Sequence, residues 1–279
     1  MSKLTFSDHS RLFKGYTYVY PVLSRRSQGI SLGINLNINN ACNWRCVYCQ
    51  VDGLIRGKPD IIELEKLEYE LDSILDAIVN GDFLTNYAPK EFCRLNDISI
   101  SGNGEPTLSK QFKDVVDIIA KLRKKYNFTQ NIKSVLITNG SEIERDDIQD
   151  ALKILNKNNG EVWFKIDRGS SKEIETINQV HITLDSIKKR LTICCGLCKT
   201  FIQTCLFKIN NLDPTQDETR DYIDFIIQFK HKIAGVFLYS TARNPMLPEG
   251  KNISQVSLDF LTNIANQLTA HGIDVKYYI

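Results

Sequence analysis

Apolar positions recur along this chain in two periods, and the switching between them lays out its elements. Ser31-Leu32-Gly33-Ile34-Asn35-Leu36-Asn37-Ile38 alternates polar and apolar residues at period two, which predicts a strand. Ile61 to Val79 instead puts Leu64, Leu67, Leu71, Ile74, Leu75 and Ile78 on one face, an amphipathic helix stopped by Gly81. A strand–loop–helix unit then repeats. Asp97 to Ser101 predicts a strand, and Ser109 N-caps a helix that carries Phe112, Val115, Val116, Ile119 and Leu122. Ser134 to Ile137 predicts the next strand, with a helix over Glu144 to Asn156 stopped by Gly160. Val162 to Asp167, Phe201 to Phe207 and Gly235 to Tyr239 predict three more, with helices after Ser170 and after Asp213-Pro214. Ser254 to Gln267 reads as the last helix and Ile273 to Tyr278 as a final strand.

Six strands alternating with helices predict a parallel sheet, and right-handed crossovers leave an open doubly wound sheet or a curved barrel. Either places ligands at the carboxyl ends of the strands. Residues 1–31, with Phe13, Tyr16, Tyr18, Tyr20, Pro21 and Ser24-Arg25-Arg26, read as an irregular lead-in; 32–250 form the core, and 251–279 the C-terminal helix and strand.

Composition changes this picture little. The chain has 279 residues, 42% hydrophobic and 24% charged, with a net charge of +2, as a soluble globular protein does. Residues 1–12 are too polar for a signal peptide, and no run of about 18 apolar residues marks a membrane span, so a cytoplasmic location is expected.

The eight cysteines change it more. Cys42-Asn43-Trp44-Arg45-Cys46-Val47-Tyr48-Cys49 sets three thiols in one loop after a strand. Thiolates are the usual ligands of iron–sulfur clusters, and three for four irons leave one iron open to a further ligand. Zinc with a distant fourth ligand, or no metal, are the alternatives, although no second cysteine pair follows closely. Cys194, Cys195 and Cys198 read as the last turn of a helix stopped by Gly196, not as a second metal site; Cys93 and Cys205 stand alone. His9, His181, His231 and His271 are scattered singly and suggest no ligand set.

At the strand ends, Gly102-Asn103-Gly104-Glu105-Pro106 lets the backbone turn tightly beside a fixed carboxylate. Thr138-Asn139-Gly140 is a turn in its own right. Lys165 and Asp167 alternate with Phe164 and Ile166, so both face one side; they pair with each other or meet a ligand. Gln203, Tyr239 and Arg243 are similarly placed, and Arg243 either clamps a phosphate or carboxylate or faces solvent.

The Cys-x3-Cys-x2-Cys run, with Tyr48 before its last cysteine, resembles the cluster loop of the radical S-adenosylmethionine (radical SAM) enzymes. Ser101 to Thr107 resembles their Gly-Gly-Glu motif in the form found in one branch, the iron–sulfur oxidoreductases that include the wyosine-forming tRNA enzymes. This chain has no cysteine before Cys42, where many of those enzymes hold a second cluster. The resemblance implies a single-domain partial (β/α)6 TIM-like barrel. It implies a [4Fe-4S] cluster on Cys42, Cys46 and Cys49, and S-adenosylmethionine cleaved by one electron to a 5′-deoxyadenosyl radical that takes hydrogen from a substrate. It assigns Glu105 to the methionine amino group and Tyr48 to the adenine, with Gly102, Gly104 and Asn139 beside the cofactor. Lys165 and Asp167 are then expected at its ribose or carboxylate, and Gln203, Tyr239 and Arg243 at the substrate. An electron donor of flavodoxin or ferredoxin type is the implied partner. Transfer RNA is a second, although the basic runs Lys121 to Lys125 and Lys188 to Arg190 lie on predicted helices, where such runs are commonly solvated faces.

Overall fold

The structure is a computed structural model that describes residues 3–5, 11, 13–24, 29–128, 131–241 and 243–279; His9, Arg25 and Arg26 lie outside them. Its main sheet has eight strands: β1 (Val19–Ser24), β2 (Gly29–Ile34), β3 (Leu95–Ile100), β4 (Lys133–Thr138), β5 (Gly160–Lys165), β6 (Lys199–Cys205), β7 (Gly235–Tyr239) and β8 (Val275–Tyr278). Their order in space is their order in the chain. A doubly wound sheet reverses direction at a switch point, and this one does not. It curls as a partial TIM-like barrel, parallel throughout except for the antiparallel β1–β2 pair.

The outer face of the curl is covered by helices. These are α1 (Leu64–Val79), α2 (Phe83–Tyr87), α3 (Phe112–Lys125), α4 (Asp146–Lys157), α5 (Ser171–Asn178), α6 (Leu184–Leu197), α7 (Gln216–Ile227) and α8 (Leu258–Ala270). Ile30, Leu32, Ile34, Ile98, Ile100, Leu136, Val162, Phe164, Ile202, Val236 and Leu238 pack outward against Leu67, Leu71, Val115, Leu152, Leu191, Ile226 and Leu261 in one core. Each such side chain contributes about 1.5–3 kcal/mol on burial, so the core fixes which face of every strand is left for the inner side.

Several boundaries differ from those the pattern predicts. The expected irregular lead-in contains β1, whose register sets Tyr20 beside Gly33. A Cβ on Gly33 would fall 2.2 Å from the Tyr20 ring, so the ring lies flat over a residue without a side chain. Pro21 hides this strand from a propensity reading, yet an edge strand tolerates it. The expected strand over residues 31–38 ends at Ile34, because the Asn35 side chain accepts from Asn37 N (3.0 Å) and Asn103 N (3.2 Å) and turns the chain into a loop. Gly196 does not stop α6, which runs on to Leu197. β6 ends at Cys205, and Phe207–Ile209 leaves the sheet to pair with Ile253–Gln255, so the last helix starts after its N-cap Ser257. No helix among the described residues is long and apolar enough to cross a membrane.

Candidate functional site

The loop after β2 carries the three cysteines and is tied down on several sides. Ala41–Cys42 pairs with Ile55–Arg56, closing the loop at its base. Arg45 N and Val47 N donate to Asn178 O (3.1 Å) and Ile177 O (2.8 Å), which seats the loop on the last turn of α5. Cys49 O accepts from Met246 N at 2.9 Å. Trp44 is buried and packs the loop.

The turn after β3 meets the start of this loop. A Cβ on Gly104 would lie 2.0 Å from the Ala41 carbonyl oxygen, and one on Gly102 would lie 2.3 Å from Asn35 Oδ1, so only glycine permits the approach. Asn37 Nδ2 spans the junction, donating to Ala41 O (2.8 Å) and Glu105 O (3.3 Å).

Glu105 is buried, and its carboxylate is held by four donors. Thr107 N (3.1 Å), Thr107 Oγ1 (2.6 Å) and Thr138 Oγ1 (2.6 Å) reach Oε1, while Asn139 N (2.6 Å) reaches Oε2. Burial raises its pKa above the ordinary carboxylate value against the pull of these bonds. A buried carboxylate held this way is preorganised to accept a cation at little reorganisation cost. Asn139 also donates to Asn43 Oδ1 (2.9 Å), linking the end of β4 to the cysteine loop.

Asp167 follows β5, and both of its oxygens are taken by donors within the protein. Oδ2 accepts from Tyr48 Oη (2.5 Å) and Asn178 Nδ2 (3.0 Å), and Oδ1 accepts from Cys205 N (2.9 Å). Burial and the Asp167 charge push the Tyr48 phenol well above its usual pKa, so it stays a donor. Lys165 turns to Tyr239 instead of Asp167, donating to Tyr239 Oη at 3.1 Å, and its ammonium lies 5.0 Å from the Tyr48 ring centroid. Burial works against that ammonium, but the surrounding Tyr239, Asp167, Cys46 and Cys205 groups outweigh it and raise its pKa. Gln203 is buried in register with Lys165 and Phe237 on the inner face. Arg243 is exposed and donates to Gln50 Oε1 at 2.6 Å, just past Cys49.

The structure therefore gathers Tyr48, Lys165, Asp167 and Tyr239 on one side of the cysteine loop and Gly102, Gly104, Glu105 and Asn139 on the other. Asn35, Asn37, Thr107, Asn178 and Arg168 are added to what the sequence suggests. Arg168 is buried, donates to Asp167 O (2.7 Å) and lies 4.8 Å from the Phe207 ring centroid. Only the unusual density of asparagines around the loop hinted at the first two.

Among the described residues, no three Cys, His, Asp or Glu side chains converge as a ready metal cage. The Cys46 sulfur faces Asn178, while Cys42 and Cys49 pack toward Val51, Leu54 and Leu247. Burial pushes the Cys42 thiol up to about 12, and burial with Asp167 pushes Cys46 up to about 11. The donor chemistry nonetheless fits an iron–sulfur cluster, because three soft thiols share one anchored, partly exposed loop.

A model of the radical SAM superfamily matches residues 36–221, which is two-thirds of the chain. The chain belongs to the radical SAM superfamily. It is 29% identical to a UPF0026 protein of Helicobacter pylori over 160 residues, covering 57% of this chain and 45% of that one. The chain thus spans about half the length of the curated relatives it matches. In fold it is similar to a radical SAM methyltransferase from Sphaerobacter thermophilus, with a TM-score of 0.61 at 11% identity over 93% of this chain and 68% of that one. Streptococcus suis SuiB, solved bound to S-adenosylmethionine, superposes with a TM-score of 0.57 at 15% identity over 90% of this chain and 47% of that one.

Proposed function

We propose that this radical SAM enzyme holds a [4Fe-4S] cluster on Cys42, Cys46 and Cys49 and binds S-adenosylmethionine across the mouth of the barrel. The observation that carries the reading is Glu105: a buried carboxylate, fixed by four donors, on the turn that touches the cysteine loop through Gly104 and Ala41. When bound, the two groups would supply one-electron cleavage of the sulfonium and, through it, removal of a hydrogen atom from a substrate.

The chain's own residues bind and orient. Glu105 accepts the methionine ammonium on Oε2, which has one protein donor where Oε1 has three. Lys165 supplies a cation for the carboxylate, and Tyr48 an apolar ring face beside the last cysteine. Asp167 acts by holding Tyr48 and Asn178 in place. Gln203 and Tyr239 line the inner face on which a substrate would lie, and Arg243 stands at its rim. An electron donor of flavodoxin or ferredoxin type would reduce the cluster, and a base in transfer RNA is one class of substrate to screen.

Anaerobic reconstitution with iron and sulfide, then dithionite and S-adenosylmethionine, tests the reading. Formation of 5′-deoxyadenosine that disappears in Cys46→Ala is expected. A protein that holds four irons per chain and forms none would refute the catalytic reading, and one that takes up no iron would refute the cluster.

A further inference from the structure

We infer that Asn178 is a positioning residue for the cluster: its side-chain amide donates to the Cys46 sulfur and so raises the potential at which the cluster is reduced. The inference rests on the cluster reading of the cysteine loop. Asn178 is the last residue of α5, where Gln179 enters the left-handed region at φ 51° and ends the helix. It is 1% exposed. Its Nδ2 reaches Cys46 Sγ at 3.2 Å and Asp167 Oδ2 at 3.0 Å, so both of its donor hydrogens have acceptors. Asp167 is itself held by Tyr48 and by the Cys205 backbone N–H, which fixes the carboxylate that this amide donates to. The backbone bonds Arg45 N to Asn178 O and Val47 N to Ile177 O bracket Cys46 and fix the same register.

The chemistry follows from where charge accumulates. Reduction adds one electron and no bond forms or breaks; the added negative charge spreads onto the cluster and its sulfurs. An N–H aimed at one of those sulfurs stabilises the reduced form more than the oxidised form. Asp167 is a carboxylate of the same sign as the added charge and works against this effect, but its oxygens are engaged by three donors. This places Asn178 among the groups that set how strong a reductant the enzyme needs.

The test is a dithionite titration of the reconstituted protein with redox mediators, followed by electron paramagnetic resonance, on the parent, Asn178→Leu and Ser170→Ala. Asn178→Leu is expected to lower the reduced-to-oxidised ratio at fixed potential about tenfold, which is about 59 mV for one electron. Ser170→Ala removes the cap at the other end of α5, where Ser170 Oγ accepts from Glu173 N, and is expected to leave the potential unchanged. An unchanged potential in Asn178→Leu with four irons retained overturns the inference, as does an equal shift in Ser170→Ala. If Asn178→Leu loses its iron, pulsed resonance on the reduced parent grown with amide-15N asparagine decides. A 15N coupling to the cluster supports the bond, and none overturns it. A parent that takes up no iron fails at the earlier step and removes the cluster reading itself.

Discussion

Tyr48 and Asp167 are joined across 119 residues of chain by a 2.5 Å hydrogen bond that fastens the cysteine loop to the end of β5. Asp167 is the acceptor for three buried donors drawn from three segments: the loop, the end of α5 and β6. Replacing it with alanine strands all three, and an unmet buried donor costs about 1–3 kcal/mol. Asp167→Ala is therefore expected to lose about 3 kcal/mol or more in denaturant unfolding of the metal-free protein. Tyr48→Phe, which leaves Asp167 two donors, should lose about 2 kcal/mol. The double variant should lose less than the sum, because the two share one bond; strict additivity would show that the bond contributes nothing.

On the proposed reading, Glu105 should link pH to S-adenosylmethionine affinity. Its folded pKa is raised by burial. The stability that this shift contributes is complete below the unfolded value and is lost as pH rises through the raised one. A methionine ammonium needs the ionised form. Affinity for S-adenosylmethionine should accordingly increase as pH rises through the raised Glu105 range, with proton release on binding in calorimetry. Glu105→Gln should flatten that dependence and weaken binding; an unchanged pH profile in the variant would place the linkage elsewhere.

Much of this arrangement was legible in the chain, and the remainder was hidden for identifiable reasons. β3 to β7 were visible because their outward residues are continuously apolar and buried under helices. The cysteine loop and Glu105 were visible because spacing and glycine placement are local properties. The partners of Glu105 were not, since Thr107 and Thr138 meet it from two strand ends 31 residues apart in sequence, and only the parallel register of β3 and β4 brings those ends together. Asn178 gives no sequence signal at all. A helix-terminal asparagine is ordinary, and its place beside Cys46 follows from how the loop seats on α5.

Gly104 offers a test of the junction between the two halves of the site. Its missing Cβ admits the Ala41 carbonyl at 2.0 Å from where that atom would stand, and the obstacle is backbone, not a side chain that can swing away. Gly104→Ala must push the Glu105 turn and the cysteine loop apart, at a cost of about 1–3 kcal/mol for such overpacking. Weaker S-adenosylmethionine binding should accompany the loss. Gly196→Ala serves as the control, because a Cβ there meets nothing within 4 Å; equal losses in both variants would show that the junction is not specially tight.

Cys194, Cys195 and Cys198 decide whether the chain holds a second metal site. They lie at the C-terminal end of α6, next to the amino end of β6 and so at the opposite end of the sheet from Cys42, Cys46 and Cys49. Cys194 is fully buried against Thr200 Oγ1 at 3.3 Å, and the Cys198 thiol points to the Gly160 carbonyl at 3.5 Å. The Cys194 and Cys198 sulfurs thus have separate protein partners, Thr200 and the Gly160 carbonyl, and do not converge on one point. The triple alanine variant should therefore keep the parent's iron per chain after reconstitution. Its unfolding midpoint should fall, because removing buried sulfur leaves small voids worth roughly 1 kcal/mol each. Iron falling from eight to four per chain would instead reveal a second cluster at the base of the sheet.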